Sequence, residues 1–107
     1  MKYYLIVGEA SGDLHGAYLV EQIRLADKDA DIEGWGGDLM KTQGVKIHKH
    51  IRDLAFMGFV DVAKNLSTIF ANIKLVKRQI SEYKPDALLL VDYPGFNFRI
   101  AKWAKKQ

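Results

Sequence analysis

Short apolar runs alternate along this chain with stretches whose apolar residues recur at helical spacing. Tyr3 to Val7 predicts a buried first strand, and Ala87 to Val91 is a continuous apolar run typical of a parallel sheet covered on both faces. Between them, Ile32 to Trp35 predicts a second strand and Val45 to Ile47 a third strand with one wetter face. Strands that alternate with helices imply a parallel sheet with right-handed crossovers.

Helical spacing predicts three longer helices and one short one. The first helix begins near Gly12, and the residues that recur on one face of it are Gly16, Leu19, Val20, Ile23 and Ala26. The long middle helix carries Phe59, Val62, Leu66, Ile69, Phe70, Ile73, Val76 and Ile80. It ends at Lys84-Pro85, because the residue before a proline disfavours helical geometry. The last helix covers Phe96 to Lys106, and a short one runs from Asp38 to Gln43 with Gly44 as its stop.

The fold class that follows is α/β, a Rossmann-like parallel sheet with helices on both faces. A doubly wound sheet usually continues to five or more strands. Only four strands are predicted within the 107 residues. We therefore expect residues 1–107 to be a partial domain of a longer protein.

Composition narrows the function classes. The chain has no cysteine, which excludes a disulfide framework and thiolate metal sites and fits a reducing cytoplasm. No apolar run approaches the roughly 20 residues that span a bilayer. The net charge is +3, but cations dominate the second half of the chain. Such a bias suits phosphate, nucleic acid or an anionic membrane surface, or it belongs to solvated helix faces.

Two turns follow predicted strands at the edge where open parallel sheets bind ligands. The first, Gly8 to Asp13, matches neither the dinucleotide fingerprint nor the P-loop pattern. Its helix-start N–H groups, together with Glu9, Ser11 and Gly12, suit contact with a phosphate or a sugar hydroxyl. The alternative is a glycine turn in which Ser11 or Asp13 caps the helix.

The second turn starts at Asp92, directly after the fourth predicted strand. A carboxylate held at the tip of a buried strand is a good candidate for a general base. The alternative is an aspartate that organises its own turn by bonding backbone N–H groups. Asn97, on the following helix, either orients Asp92, binds substrate or lies on the surface.

The segment from Leu54 to Phe70 has a wider apolar arc than one buried face needs. Together with the cations that follow, this arc favours one of two interpretations. The segment is either a surface patch that contacts a membrane or acyl chains, or part of the core with a break near Gly58. His48 and His50 would point the same way on a strand, but no carboxylate stands at ligand spacing beside them. We therefore predict no metal site.

The turns and apolar segments described above, in their order along the chain, resemble the N-terminal domain of the lipid-A-disaccharide synthases. The matching stretches are Leu5 to Asp13, Trp35-Gly36-Gly37 with Met40, Leu54-Ala55 with Met57-Gly58 and Val60, Lys84-Pro85-Asp86, and Asp92 with Pro94, Phe96 and Asn97. The Gly-Glu-Ala-Ser-Gly-Asp turn is the most specific of them, and together they span almost the whole chain.

The resemblance implies a membrane-associated, inverting glycosyltransferase of GT-B type with two Rossmann-like halves. Such enzymes transfer a diacylglucosamine unit from its UDP derivative to the 6-hydroxyl of diacylglucosamine 1-phosphate, with no cofactor. The resemblance places the general base on Asp92 and puts Glu9, Ser11 and Gly12 at the cleft. It places the membrane and acyl-chain patch on Val60, Val62, Ala63, Leu66, Ile69 and Phe70. It also implies a peripheral location at the cytoplasmic face of the inner membrane and no nucleic-acid partner, and it leaves homo-oligomerisation open.

Two features of this chain depart from the pattern of the family. Gly95 stands where many members of the family have a second acid, and the C-terminal half that binds the nucleotide is absent, so we expect the chain alone to be inactive. The alternative hypotheses are a nucleotide-binding oxidoreductase domain and a flavodoxin-like signalling or interaction module.

Overall fold

The computed structural model describes residues 1–54, 62–91 and 94–106, and the side chains of all of these except residues 62–67 and 94–95. In chain order the elements are β1 (Lys2–Val7), α1 (Ala10–Ala26), β2 (Asp31–Gly36), α2 (Asp38–Thr42), β3 (Lys46–His50), a short 3-10 helix (Ile51–Asp53), α3 (Val62–Tyr83), β4 (Ala87–Val91) and α4 (Pro94–Lys105).

The four strands form one parallel sheet in the order β3-β2-β1-β4. Because β1 lies in the middle, its carboxyl end is flanked by β2 on one side and by β4 on the other. Val7 pairs with Val91 and Ile6 with Trp35, so the three strands end at the same edge. The strand order therefore reverses between β1 and β4, which is the topological switch point where open α/β sheets bind ligands.

Alternation along β1 sends its side chains into two separate cores. Leu5 and Val7 pack with α1 and α2, in the cluster that also contains Val20 and Met40. Tyr4 and Ile6 pack on the other face with α3 and α4, in the cluster made of Tyr4, Ile6, Trp35, Leu54, Ile73, Val76, Ile80, Phe96 and Ile100. Helices therefore cover both faces, and the predicted α/β Rossmann-like class is confirmed.

The α3–α4 core contains a polar centre that the apolar pattern does not reveal. The Tyr4 hydroxyl and the Trp35 indole N–H both donate to the Gln79 side-chain oxygen, at 2.5 and 2.8 Å. Tyr4 and Trp35 are fully buried, so Gln79 satisfies two groups that would be costly to bury unpaired. These two hydrogen bonds anchor α3 to both β1 and β2.

Several boundaries differ from the prediction. Helix α1 begins at Ala10 rather than near Gly12, so Ser11, Gly12 and Asp13 lie in its first turn. Its buried stripe also shifts, because Ala17 faces the sheet while Leu19 and Ala26 are exposed. Strand β4 contacts both cores, through Leu88 and Leu90 on one face and Leu89 and Val91 on the other. Its residues are nevertheless only half-buried, because β4 is the edge strand of the described sheet.

The ends of the other helices follow the sequence signals. Gly44 has φ +86°, the left-handed geometry expected of a helix stop after α2. Helix α3 ends at Tyr83, directly before Lys84-Pro85. Within the residues described, no helix combines the length and the apolar character needed to cross a bilayer.

Candidate functional site at the switch point

The turn after β1 brings the start of α1 onto the ends of two strands. Gly12 is buried, and a Cβ atom at this position would lie 3.1 Å from the Val7 Cβ and 3.6 Å from the Val91 carbonyl oxygen. Only a small residue lets the helix approach so closely. As a result the first turn of α1 sits directly above the switch point between β1 and β4.

Glu9 and Ser11 are exposed at this edge. Glu9 precedes α1 in an extended conformation, and its side chain makes no capping hydrogen bond. Its carbonyl accepts the Asp13 N–H at 3.0 Å, which leaves the N–H groups of residues 10–12 without helical partners, as at any helix start. This edge therefore presents a carboxylate, a hydroxyl and backbone donors, which together can bind sugar hydroxyls or a phosphate.

Asp13, the last residue of the same motif, has a different task from the one predicted. Its carboxylate is 5% exposed and accepts hydrogen bonds from the backbone N–H groups of Gly37, Leu39 and Met40 at 2.8, 3.0 and 3.0 Å. The prediction that Ser11 or Asp13 caps α1 is therefore wrong for Asp13. Asp13 caps α2 instead, and so joins the loops that follow β1 and β2.

The other wall of the site comes from β4 and α4. Asn97 is 4% exposed, and its side-chain Nδ2 donates to the Ile6 carbonyl oxygen at 3.3 Å. This bond holds the first turn of α4 against the end of β1. Asp92, the predicted general base, follows Val91 in the chain and lies outside the described residues.

The structure thus brings together Glu9, Ser11, Gly12 and Asn97 around the ends of β1 and β4. Glu9 and Ser11 face solvent, whereas Gly12 and Asn97 lie beneath them as packing elements. The burial of Asn97 could not be read from its spacing, because it depends on where α4 crosses β1.

The predicted apolar patch is described only in part. Val60 lies outside the described residues, and Val62, Ala63 and Leu66 belong to α3 without described side chains. Ile69 packs against the α3–α4 core, whereas Phe70 is 55% exposed. Of the patch residues with described side chains, Phe70 alone is exposed.

Sequence reasoning missed two histidine–carboxylate pairs. His48 Nε2 lies 2.6 Å from a Glu33 carboxylate oxygen, and His50 Nε2 lies 2.9 Å from an Asp38 oxygen. The His50 Nδ1 accepts the Arg52 N–H at 3.1 Å, so its Nε2 is the nitrogen that donates to Asp38. This bond lowers the pKa of the Asp38 carboxyl. Both carboxylates come from other elements, so spacing along the chain gave no signal. Among the described residues no three potential metal ligands cluster.

A parallel sheet of order β3-β2-β1-β4, with α1 and α4 beginning beyond the carboxyl ends of β1 and β4, defines a Rossmann-like α/β domain, and its switch point is where open α/β sheets bind ligands. Comparison with known proteins makes the assignment specific. The sequence model of the family described as "Lipid-A-disaccharide synthetase" matches residues 3–107, and the chain belongs to this family.

Individual relatives agree with the family assignment. A lipid-A-disaccharide synthase of Trichlorobacter lovleyi is 41% identical over 102 residues, one of Syntrophus aciditrophicus is 39% identical over 102, and "Lipid-A-disaccharide synthase 1" of Legionella pneumophila strain Lens is 38% identical over 103. The alignments cover 95–96% of this chain but only 27% of each relative. The chain therefore spans about a quarter of their length, in their N-terminal part.

Proposed function

We propose that this segment is the acceptor-side lobe of a UDP-sugar-dependent hexosyltransferase of lipid A biosynthesis. The full-length enzyme would transfer 2,3-diacylglucosamine from its UDP derivative to 2,3-diacylglucosamine 1-phosphate and form a β-1,6 disaccharide. The names of the family and of its relatives support this reaction. No observation favours an oxidoreductase or a signalling module.

The observation that carries the proposal is that α1 and α4 begin at the same edge of the sheet, beyond the carboxyl ends of β1 and β4. Gly12 lets α1 pack closely on the end of β1, where an added Cβ atom would lie 3.1 Å from the Val7 Cβ, and Asn97 ties α4 to Ile6. Val91, the residue before Asp92 in the chain, lies at the same edge as Glu9 and Ser11, which supports Asp92 as a member of this site. A ligand bound at this edge would meet the start of α1 and the start of α4.

In the proposed mechanism Asp92 is the general base. It accepts the proton of the acceptor 6-hydroxyl while that oxygen attacks the anomeric carbon of the donor. The bond between the anomeric carbon and the UDP oxygen breaks, and UDP leaves with the bonding electrons. Attack from the face opposite the leaving group inverts the anomeric centre and gives the β linkage.

The remaining site residues have supporting roles in this proposal. Exposed Glu9 and Ser11 bind acceptor hydroxyls or phosphate, and Gly12 permits the close approach of the backbone. Asn97, being buried, anchors the start of α4 to Ile6 rather than contacting the sugar. The nucleotide would be bound by a C-terminal Rossmann-like half outside this chain, so residues 1–107 alone should show no transfer.

We also propose a peripheral location at the cytoplasmic face of the inner membrane. The acyl chains of the proposed substrates would enter the cleft from a lipid surface. Phe70, exposed at the start of the described part of α3, supports a contact with lipid on this side of the molecule.

The decisive test is Asp92→Asn in a full-length enzyme that carries this segment. A general base contributes about 10²–10⁴-fold, so turnover should fall by that factor while the thermal midpoint stays unchanged. The matched control is Asp29→Asn in the exposed loop before β2, which should keep full turnover. Near-normal turnover of the Asp92 variant would reject the role of Asp92 as base.

A further inference from the structure

Helix α1 exposes large apolar side chains on the side that faces away from the sheet. Of the eight large apolar side chains that are exposed in the described part of the chain, four lie on this helix. Leu14, Tyr18 and Leu25 are 49%, 65% and 71% exposed. Packing against the sheet uses other residues of α1, among them Ala17 and Val20. The core therefore does not explain these three exposed side chains.

The exposed apolar residues form one row together with a single acid. Leu14, Tyr18, Glu21 and Leu25 follow one another at intervals of four, three and four residues, and all four are exposed. Residues at these intervals lie along one side of a helix, as in helices that pair with each other. The row extends over about 16 Å of the helix. We call these four residues the outer face of α1.

The polar groups of this face have no partner within the described part of the chain. Neither the Tyr18 hydroxyl nor the Glu21 carboxylate forms a hydrogen bond or an ion pair with a described residue. The neighbouring cation Arg24 is engaged elsewhere, because its guanidinium donates to three backbone carbonyls around the end of α2 and the start of β2. The outer face of α1 thus offers three apolar side chains, one phenol donor and one carboxylate acceptor.

The order of these residues makes the face complementary to itself. A two-fold axis that crosses α1 between residues 19 and 20 places a second copy of the helix antiparallel to the first. Leu14 then lies opposite Leu25 of the partner subunit, and Tyr18 lies opposite Glu21 of the partner subunit. Packed helices are about 8–10 Å apart, so the phenol can donate to the facing carboxylate. Symmetry forms each of these contacts twice.

We propose that the outer face of α1 is an interface at which two copies of this chain pair through antiparallel α1 helices. A second copy is favoured over an unrelated partner because the same face supplies both the donor and the acceptor and both members of each leucine pair. Leu39 of α2 is 47% exposed and extends the contact, since its N–H is bonded to Asp13, directly before Leu14. The interface uses none of the proposed site residues, so the inference does not rest on the proposed function.

The size of the face determines how strong the pair can be. A standard interface buries about 800 Å² on each partner. One side of a helix of 17 residues, with one leucine beside it, buries less than this. We therefore expect a weak dimer with a dissociation constant of about 10–100 µM.

The first test is sedimentation velocity of the chain at concentrations that span this range. Leu25→Glu places a carboxylate against Leu14 of the partner subunit at two points of the dimer and should raise the dissociation constant at least about tenfold. The matched control is Phe98→Glu, at a 68% exposed position on α4, which introduces the same charge and should leave the constant within about twofold. Tyr18→Phe keeps the ring but removes two hydrogen bonds, and it should raise the constant about tenfold.

General charge repulsion cannot produce the expected effect of Leu25→Glu. The chain has a net charge of +3, so an added acid brings the net charge closer to zero and would favour non-specific association. Circular dichroism establishes that each variant is folded. A wild-type chain that stays monomeric up to about 1 mM, or equal constants for Leu25→Glu and Phe98→Glu, would overturn the inference.

The second test determines the direction of pairing and leaves the acid out. The chain has no cysteine, so Leu14→Cys and Leu25→Cys can be introduced together in one copy. These two thiols are about 16 Å apart on one helix and cannot form a disulfide with each other. Oxidised glutathione should therefore link position 14 of one copy to position 25 of the other, and peptide mapping identifies the linked pair.

The same double variant is then examined in a full-length enzyme that carries this segment. The link between positions 14 and 25 of two copies should form there as well, whatever other contacts the full-length protein makes. Links that join only like positions, 14 to 14 and 25 to 25, would show parallel pairing and reject the proposed interface. Absence of any link at these positions in the full-length enzyme would show that another part of the enzyme covers this face, which also rejects it.

Discussion

The Asp13 carboxylate accepts the Gly37 backbone N–H at 2.8 Å across 24 residues of sequence. One oxygen of this carboxylate also accepts from Met40 and the other from Leu39. A charged acceptor at the start of a short helix satisfies donors that have no helical partner and is favoured by the helix dipole. Asp13 thereby couples the loops after β1 and β2 at the carboxyl edge of the sheet.

We predict that Asp13→Ala lowers the free energy of unfolding by about 2–4 kcal/mol, because three backbone donors lose a charged acceptor. Asp13→Asn should cost less, since its amide keeps one accepting oxygen. Urea unfolding measures both, with Asp29→Asn as the exposed control. An alanine variant as stable as the wild type would show that these three bonds contribute nothing net.

A companion substitution tests the pairing itself. A Cβ atom at Gly37 would lie 2.5 Å from the Asp13 Oδ2, so Gly37→Ala should displace the carboxylate and destabilise the fold. Because both changes disrupt one interaction, the double variant should lose less stability than the sum of the two single losses. Strict additivity would contradict the proposed coupling.

The second prediction concerns alkaline pH. Burial raises the pKa of the Tyr4 phenol above its ordinary value of 10.0, with the Glu33 carboxylate acting in the same direction. Tyr4 therefore stays neutral in the folded state when it would ionise in the unfolded chain. Its contribution to stability is complete below about pH 10 and is lost progressively as the pH rises above it.

In the Tyr4→Phe variant the free energy of unfolding should fall less at alkaline pH than in the wild type. At neutral pH it should be lower by about 1 kcal/mol, because the hydrogen bond to Gln79 is lost. The measurement is the free energy of unfolding by urea as a function of pH. Tyr18→Phe, at a 65% exposed tyrosine, is the control and should retain the wild-type slope. Identical alkaline slopes for the wild type and Tyr4→Phe would contradict the prediction.

The third prediction distinguishes a core residue from an exposed residue in the apolar patch on α3. Ile69 packs against the core, so Ile69→Ser should lower the free energy of unfolding by about 1–3 kcal/mol. Phe70 is 55% exposed, so Phe70→Ser should change stability by less than about 0.5 kcal/mol but reduce binding to detergent micelles. Leu39→Ser, at a 47% exposed position on α2, is the control for loss of exposed apolar surface. A large stability loss from Phe70→Ser would show that this ring is part of the core.

Hydrophobic periodicity was sufficient to locate the secondary structure. Ala87–Val91 was predicted to the residue, and α3 ends where the Lys84-Pro85 signal requires. The start of α1 was placed too late, because Gly12 suggested a turn. In the structure this glycine serves the close packing of α1 against Val7 rather than an unusual backbone angle.

Of the predicted site residues, Glu9, Ser11, Gly12 and Asn97 lie at one edge of the sheet, but the contacts of several polar residues were not predicted. Asp13 was expected to act within its own helix, and instead it reaches α2. No carboxylate stands at ligand spacing beside His48 and His50 in the sequence, yet each pairs with a carboxylate from another element. In every such case the partner is distant along the chain, and spacing contains no information about contacts that depend on how strands are ordered.

From the sequence alone came the α/β class, the parallel strands, the motif after β1 and the family resemblance, since these depend on local patterns of apolar residues, glycines and prolines. The tertiary structure decided the order β3-β2-β1-β4, the capping of α2 by Asp13 and the burial of Asn97. These features arise when distant segments pack against one another. Backbone donors and buried polar groups then take whichever partners the packed fold brings within hydrogen-bond distance.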